Sequence, residues 1–362
     1  KINLINPNFE HDYAHMLLMS RGVEDVDAFL NPTREHLQPP TNLKGIAAGA
    51  AMYLRVVMND KPPYSRVLIV VDSDNDGYTS AAIIYQYTKR LNCHCNVDYW
   101  LHEGKQHGLQ DHIDKLMEQD YKYDLIILPD SSNDANYHDM LDEVNTPCLI
   151  LDHHLTDVKL SYNAVVINNQ LSPNYTNKEL TGAGVVYQFC RYLDSLTGQK
   201  WADDYIDLAA WGIIGDMGSV LEMENRYIIT EGLRSVKNEF FKALLEKQAY
   251  SITGKMGATW DDILEKLTPT SVAFYIVPLV NGMIRVGTMA EKERLFLAFI
   301  DGNRMIESGK RGAKGTMERV AVEAARECAN AKARQDKTKL AAVEKLEQKI
   351  FKYDLLENRV LF

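Results

Sequence analysis

Five consecutive apolar residues, Val67 to Val71, run straight into three aspartates at alternate positions, Asp72, Asp74 and Asp76, followed by Gly77. An apolar run of that length fits a strand covered on both faces, as in a parallel sheet. Three carboxylates at its end repel one another unless something cationic sits among them. At the C-terminal end of a buried strand, a divalent ion is the expected counter-charge. Taken alone, the stretch fits a polar loop capping the next helix about as well.

The same arrangement recurs twice. Residues 123–130 read YDLIILPD, an apolar strand ending in Asp130, and residues 147–154 read PCLILDHH, ending in Asp152, His153 and His154. Ligands of an open parallel sheet bind outside the carboxyl ends of its strands. Three strands would therefore deliver oxygen and imidazole ligands to one edge. A fourth acid, Asp216, follows another apolar run in WGIIGDMGSV. Mixed carboxylate and imidazole ligands suit manganese, magnesium or zinc, and four or more carboxylates favour the first two.

Between residues 66 and 169 strands and helices alternate. Strands are expected at 67–71, 96–100, 124–128, 148–151 and 164–167, and helices at about 79–91, 109–119 and 136–144. The fold class is α/β: a mostly parallel five-stranded sheet with helices on both faces, then a helical segment and a long connector helix. His107 sits in a polar loop after the second strand. Thr181-Gly182-Ala183-Gly184 opens a helix, where free N–H groups could hold an anion, or where glycine could serve close packing alone. Residues 203–215, 226–236, 239–247, 259–267, 272–280 and 290–300 read as helices, and NGMIRVG (281–287) as a glycine-containing turn carrying Arg285. Residues 316–355 read as one long exposed helix, with Leu340, Val343, Leu346 and Ile350 at 3–4 spacing. The expected division is an N-terminal segment (1–45), a catalytic domain (46–300) and a basic connector (301–362).

The net charge of −10 argues against a general nucleic-acid coat, yet residues 301–350 hold twelve Lys/Arg against eight Asp/Glu. That local surplus could hold a phosphate backbone. No apolar run is expected to reach the roughly 18 residues that span a membrane, so no membrane partner is expected. No secretory signal is visible, and five unpatterned cysteines fit reduced thiols in a cytoplasmic protein. Cys93-His94-Cys95 lacks a second ligand pair for zinc.

Together these residues resemble the DHH phosphoesterase family and, within it, the RecJ-type single-stranded DNA exonucleases. Asp152-His153-His154 matches the name-giving motif. VDSDNDGYTS is similar to the first motif, LPDSS (128–132) to the second and GIIGDMGSV to the fourth. RGVEDVDAFLNP (21–32), LTGAGVVYQF (180–189) and IVPLVNGMIRVG (276–287) resemble RecJ-type flanking segments, so the resemblance covers roughly residues 12–300. The chain departs from the pattern at Val70, Ser131-Ser132 and Met217-Gly218-Ser219-Val220. It also lacks the family's Gly-Gly-His substrate-binding domain, which implies either a fragment or a reduced member.

The resemblance implies phosphodiester hydrolysis by metal-activated water, with two Mn2+ or Mg2+ ions held by Asp74, Asp76, Asp130, His153 and Asp216, and Asp130 bridging. Asp72 is either a ligand or a neighbour of one. Asp152 orients His153 or His154, and His154 contacts the scissile phosphate or protonates the leaving oxygen. Arg285, Asn281, Gly182 and His107 are the further candidates for substrate contact, and Tyr78 either stacks a base or packs in the core. Thr156 and Asp157 more naturally cap a turn. The implied activity is 5′-to-3′ digestion of single-stranded DNA in repair or recombination, beside a single-strand-binding protein or helicase. A cyclic-dinucleotide or short-oligonucleotide phosphodiesterase and a non-catalytic replication scaffold are the alternatives.

Overall fold

The computed structural model describes residues 13–119, 122–132, 144, 146–156, 163–313 and 315–353. Five parallel strands form the sheet: β1 (Arg66–Val70), β2 (Asn96–Trp100), β3 (Leu125–Pro129), β4 (Cys148–Asp152) and β5 (Ala164–Asn168), in the order β2-β1-β3-β4-β5. The chain leaves β1 toward β2 and then crosses back to β3. The sheet thus changes direction between β1 and β3, and a crevice opens there outside the strand ends.

Alternation along β1 sends Val67 and Ile69 into the larger core and Leu68 and Val70 into a smaller one on the opposite face. The larger face carries α1 (Ile46–Val57), α2 (Asn75–Leu91) and α3 (Gly182–Thr197). The opposite face is covered in part by Ile113 and Leu116, from a helix of only five residues, Ile113–Met117, where the pattern suggested 109–119. The helix expected at 136–144 lies, but for Val144, outside the described residues.

The helical half follows as α4 (Ile206–Gly215), α5 (Met223–Arg234), α6 (Val277–Val286), α7 (Met289–Ile300) and α8 (Val320–Lys352). Buried Trp211 of α4 stacks on Phe241 at 4.5 Å and on Phe299 of α7 at 4.9 Å between ring centroids. The start of α8 joins the same core through Val320, Ala324, Cys328 and Ala331. Beyond it Leu340, Val343 and Leu346 are exposed.

Three expectations change. First, α2 begins at Asn75 rather than near Thr79. Asp74 is its N-cap and accepts from the Gly77 N–H at 2.9 Å, so the acids that read as loop are the helix start. Second, residues 281–286 are helix, not turn, and Gly287 is the extended C-cap. Gly282 sits inside α6 because a Cβ there would lie 3.3 Å from the Lys332 Cα of α8. Helical structure therefore runs unbroken over Pro269–Val286, which meets the length and apolarity of a membrane span, contrary to the expected absence of any such run. Half of it is buried within the protein, as in a core helix. Third, α8 starts at Val320, after an unforeseen two-stranded ribbon, β6 (Met305–Glu307) with β7 (Met317–Arg319). Three-residue strands are too short to show alternation.

Candidate metal centre

The strand ends bring the acids together. β1 delivers Asp72 and Asp74, the first turn of α2 Asp76, β3 Asp130, β4 Asp152 with His153 and His154, and the end of α4 Asp216. His153 Nε2 lies 3.2 Å from Asp130 Oδ1, 3.6 Å from Asp216 Oδ2 and 4.0 Å from Asp76 Oδ2. Three overlapping sets each have ligand atoms within 4.8 Å of one another: Asp130, Asp152, His153 and His154; Asp76, His153 and Asp216; Asp72, Asp74 and Asp130. Asp130 and His153 each belong to two sets, and of the two only the carboxylate, with two oxygens, could be shared between ions.

Asp130 is held in an uncommon backbone conformation, φ +63°, with its N–H donating to Leu151 O at 2.8 Å. Such a φ is rare outside glycine and marks a site where the surroundings dictate geometry. Its Oδ1 is buried and accepts no hydrogen bond. Asp76 is buried too, but clamped: Oδ2 accepts from Gly182 N at 2.7 Å, and Oδ1 from Ala183 N and Thr181 Oγ1, both at 3.1 Å. The anion at this helix N-terminus is thus the chain's own Asp76. Gly182 is required sterically as well, since a Cβ would lie 2.4 Å from Asp130 Oδ1. Gly212 of α4 has the same role from the other side, where a Cβ would meet Asp76 Oδ1 at 2.3 Å. Gly182→Ala is expected to weaken Mn2+ binding by about tenfold or more, the range for groups that hold metal ligands in place. Titration calorimetry checks it, and unchanged affinity would remove Gly182 from the site.

Buried Asn225 of α5 ties the two ends of this clamp together. Its Nδ2 donates to Glu179 O at 2.8 Å, just before Thr181, and to Ser219 O at 3.1 Å, just after Asp216. Neighbouring Glu224 accepts from Tyr175 Oη at 2.8 Å, Asn177 Nδ2 at 3.0 Å and Gln38 N at 3.0 Å. Neither residue stands out in the sequence. A Glu-Asn pair opening a polar helix reads as solvated surface, and only its burial reveals the hub.

Charge within the cluster is unbalanced. Burial first, then neighbouring carboxylates, push Asp76 and Asp130 well above the usual carboxylate range. Burial also raises Asp72, although the hydrogen bond from His107 opposes it. Asp216 is pushed up to about 6 by burial and by Asp74. Burial lowers His153 to about 4, so it is neutral and able to ligate. No Lys or Arg among the described residues pairs with Asp72, Asp74, Asp76, Asp130 or Asp216. A bare buried carboxylate costs several kcal/mol. Two divalent cations would offset that cost, and the donor set of hard oxygens with one neutral imidazole fits Mn2+ or Mg2+. The unpartnered Asp130 Oδ1 meets the same test.

Protons compete with metal at these raised acids. Mn2+ affinity is therefore expected to fall as pH drops through about 6, where Asp216 protonates, by up to about tenfold per pH unit for each proton displaced. Calorimetry in buffers of different ionisation enthalpy would read the proton release directly. Affinity independent of pH between 5 and 7 would count against Asp216 as a ligand.

His154 differs from His153. Its Nδ1 lies 2.7 Å from Asp152 Oδ1, and that hydrogen bond raises it to about 9 despite partial burial. Burial pushes Asp152 up, but His154 and His153 together outweigh it and hold the carboxyl low. The His153 and His154 backbone N–H groups also donate to Asp152 Oδ1, at 2.7 and 3.3 Å.

The remaining candidates divide. His107 Nδ1 lies 2.8 Å from Asp72 Oδ2. Its loop is fastened by Ser73 Oγ to Gln106 O at 2.5 Å and by buried Lys292 Nζ to His102 O at 3.0 Å, contacts that sequence reading missed. Arg285 is exposed in the last turn of α6, and Asn281 is half-buried on the same helix with Oδ1 unpartnered. Neither contacts the acid cluster among the described residues. Tyr78 is a core residue, packed on Phe296 and Phe299 at 5.9 and 6.0 Å, and is not available to stack a base. Thr156 follows β4, while Asp157 lies outside the described residues.

A model of the DHH family, N-terminal domain, matches residues 66–213. The chain is 34% identical over 362 residues to a Bacillus subtilis (strain 168) protein described as "Putative SPbeta prophage-derived single-strand DNA-specific exonuclease YorK", covering 99% of this chain and 59% of that one. It is 28% identical over 274 residues to the single-stranded-DNA-specific exonuclease RecJ of Thermus thermophilus, covering 73% of this chain and 37% of the relative. The crystal structure of RecJ from Thermus thermophilus in complex with Mn2+ has a TM-score of 0.65 at 22% identity, over 91% of this chain and 43% of that one. A crystal structure of exonuclease RecJ bound to manganese has a TM-score of 0.66 at 24% identity, over 85% and 70%. The expected α/β fold is thereby shown. The chain spans less than two thirds of the length of these two curated relatives.

Proposed function

We propose that the chain, whose residues 66–213 match the DHH family, N-terminal domain, is a two-metal phosphodiester hydrolase that digests single-stranded DNA from the 5′ end. The observation that carries this reading is Asp130: buried, bent to φ +63°, one oxygen unpartnered, and shared between two candidate ion positions. Asp74, Asp76, Asp130, His153 and Asp216 would hold two Mn2+ or Mg2+ ions, with Asp72 at the edge of the set. When bound, such ions make a water acidic enough to attack near neutral pH and stabilise charge on the phosphoryl oxygens.

The chain's own groups do the rest. Gly182, Ala183 and Thr181 fix Asp76. Asp152 holds His154 protonated, leaving Nε2–H to donate to the scissile phosphate or to the departing oxygen. His107, Arg285 and Asn281 are proposed contacts to the substrate strand. The printed names of the relatives support single-stranded DNA as substrate. A cytoplasmic place in repair or recombination, beside a single-strand-binding protein or helicase, belongs to the same proposal.

The test is end-labelled single-stranded DNA with Mn2+, run beside cyclic dinucleotides. Mononucleotides released from the 5′ end are expected. Cleavage of the cyclic dinucleotides alone, or of neither substrate, would contradict the reading.

A further inference from the structure

The β6–β7 ribbon has no part in the metal centre, yet it is firmly built. At its base, Arg326 pairs with Glu318 at 2.8 Å and with buried Glu323. Glu323 in turn accepts from the Gly309 N–H at 3.0 Å, and Arg319 pairs with Glu239 at 2.8 Å. Val320 N donates to Arg304 O at 2.8 Å, and Arg304 pairs with Asp301 at 3.1 Å. Every arginine around the base is therefore neutralised.

The tip is different. Lys310 and Arg311 are adjacent and exposed, and neither makes an ion pair or hydrogen bond through its side chain among the described residues. Glu307, the nearest acid along the ribbon, accepts from the Gly315 N–H at 3.1 Å. Gly312 and Gly315 have φ of +84° and +81°, and a Cβ at either would meet nothing within 4 Å, so the tip stands clear of the body. A chain of net charge −10 repels a polyanion in general, and two adjacent unpaired cations at the end of a ribbon anchored at its base offer one place to hold it.

We propose that the β6–β7 tip is a contact for the phosphodiester backbone of a nucleic-acid strand, made through Lys310 and Arg311. This deepens the nuclease reading and rests on it. The ribbon's place gives the contact a length requirement. α7 meets the loop beside the metal centre through Lys292. It then runs on from Lys292 to Asp301, about 14 Å at 1.5 Å per residue, before the ribbon begins. The proposed contact therefore calls for a strand long enough to span from that loop to the tip, longer than a dinucleotide.

The experiment measures binding of a fluorescent single-stranded oligonucleotide to the metal-free full chain over a range of salt. In the K310A/R311A double variant, the slope of log affinity against log salt is expected to flatten by about 1.4, two backbone contacts at about 0.7 each for single strands. The K310R/R311K double variant, which keeps both charges, is expected to retain the original slope. Hydrolysis of a dinucleotide is expected to be unchanged. An unaltered slope in K310A/R311A, with the parent chain binding normally, would overturn the ribbon's role and leave the nuclease reading standing. Failure of the metal-free parent chain to bind any oligonucleotide would overturn the ribbon's role, while the nuclease reading stands or falls on the digestion assay with Mn2+.

Discussion

Asp130→Asn is expected to lower phosphodiester hydrolysis by on the order of 10³-fold or more, about 4 kcal/mol of lost transition-state stabilisation, and at the same time to raise the melting temperature of the metal-free protein. Both effects have one cause. Asp130 is buried among Asp76, Asp74 and Asp72, and its Oδ1, 3.2 Å from His153 Nε2, accepts no hydrogen bond. An unsatisfied buried polar atom costs about 1–3 kcal/mol, and a charged one more. Asparagine removes the charge, keeps the volume, and tolerates φ +63° better than most residues. A variant that is inactive because it is misfolded would melt earlier, so the opposite sign separates a lost ligand from a lost fold. With Mn2+ present the order should reverse, because only the parent chain gains the full stabilisation of binding. Undiminished hydrolysis in this variant would contradict the assignment of Asp130.

His154→Gln is expected to lower the rate by about 10²- to 10⁴-fold, the usual span for a general acid, while leaving Mn2+ affinity nearly intact. His154 is bonded to Asp152 through Nδ1, and its pKa of about 9 keeps it protonated at neutral pH. Activity should accordingly decline as pH rises through about 9, where that proton is lost. Asp152→Asn removes the hydrogen bond that raises His154. It should move the alkaline limb down toward the ordinary imidazole value of 6.5. A pH–rate profile of the two proteins is the measurement. An alkaline limb that stays in place after Asp152→Asn would show that His154 is not the group titrating. Loss of Mn2+ affinity in His154→Gln would make that residue a ligand instead.

How far the molecule could be read beforehand depended on the range of the interactions involved. β1, β3 and β4 were legible because a strand covered on both faces must be apolar throughout, and each run ends in the acid it presents. That pattern also placed Asp130, Asp152 and His153 correctly on one edge. The start of α2 was misplaced because Asp74 and Asp76 look like loop residues when their roles as cap and clamped acid are unknown. The clamp on Asp76 comes from Gly182, 106 residues away, and no local pattern encodes such a meeting. Gly282 read as a turn because its reason, the close passage of Lys332, lies fifty positions further on. Tyr78 occupies a helical position beside the acids, and only the arrival of Phe296 and Phe299 makes it core.

Anomalous diffraction from crystals of the unaltered chain grown with Mn2+ tests the central claim most directly. Two peaks are predicted among Asp74, Asp76, Asp130, His153 and Asp216, with Asp130 touching both. No peak between these side chains, or manganese found only at exposed acids elsewhere, would contradict the account.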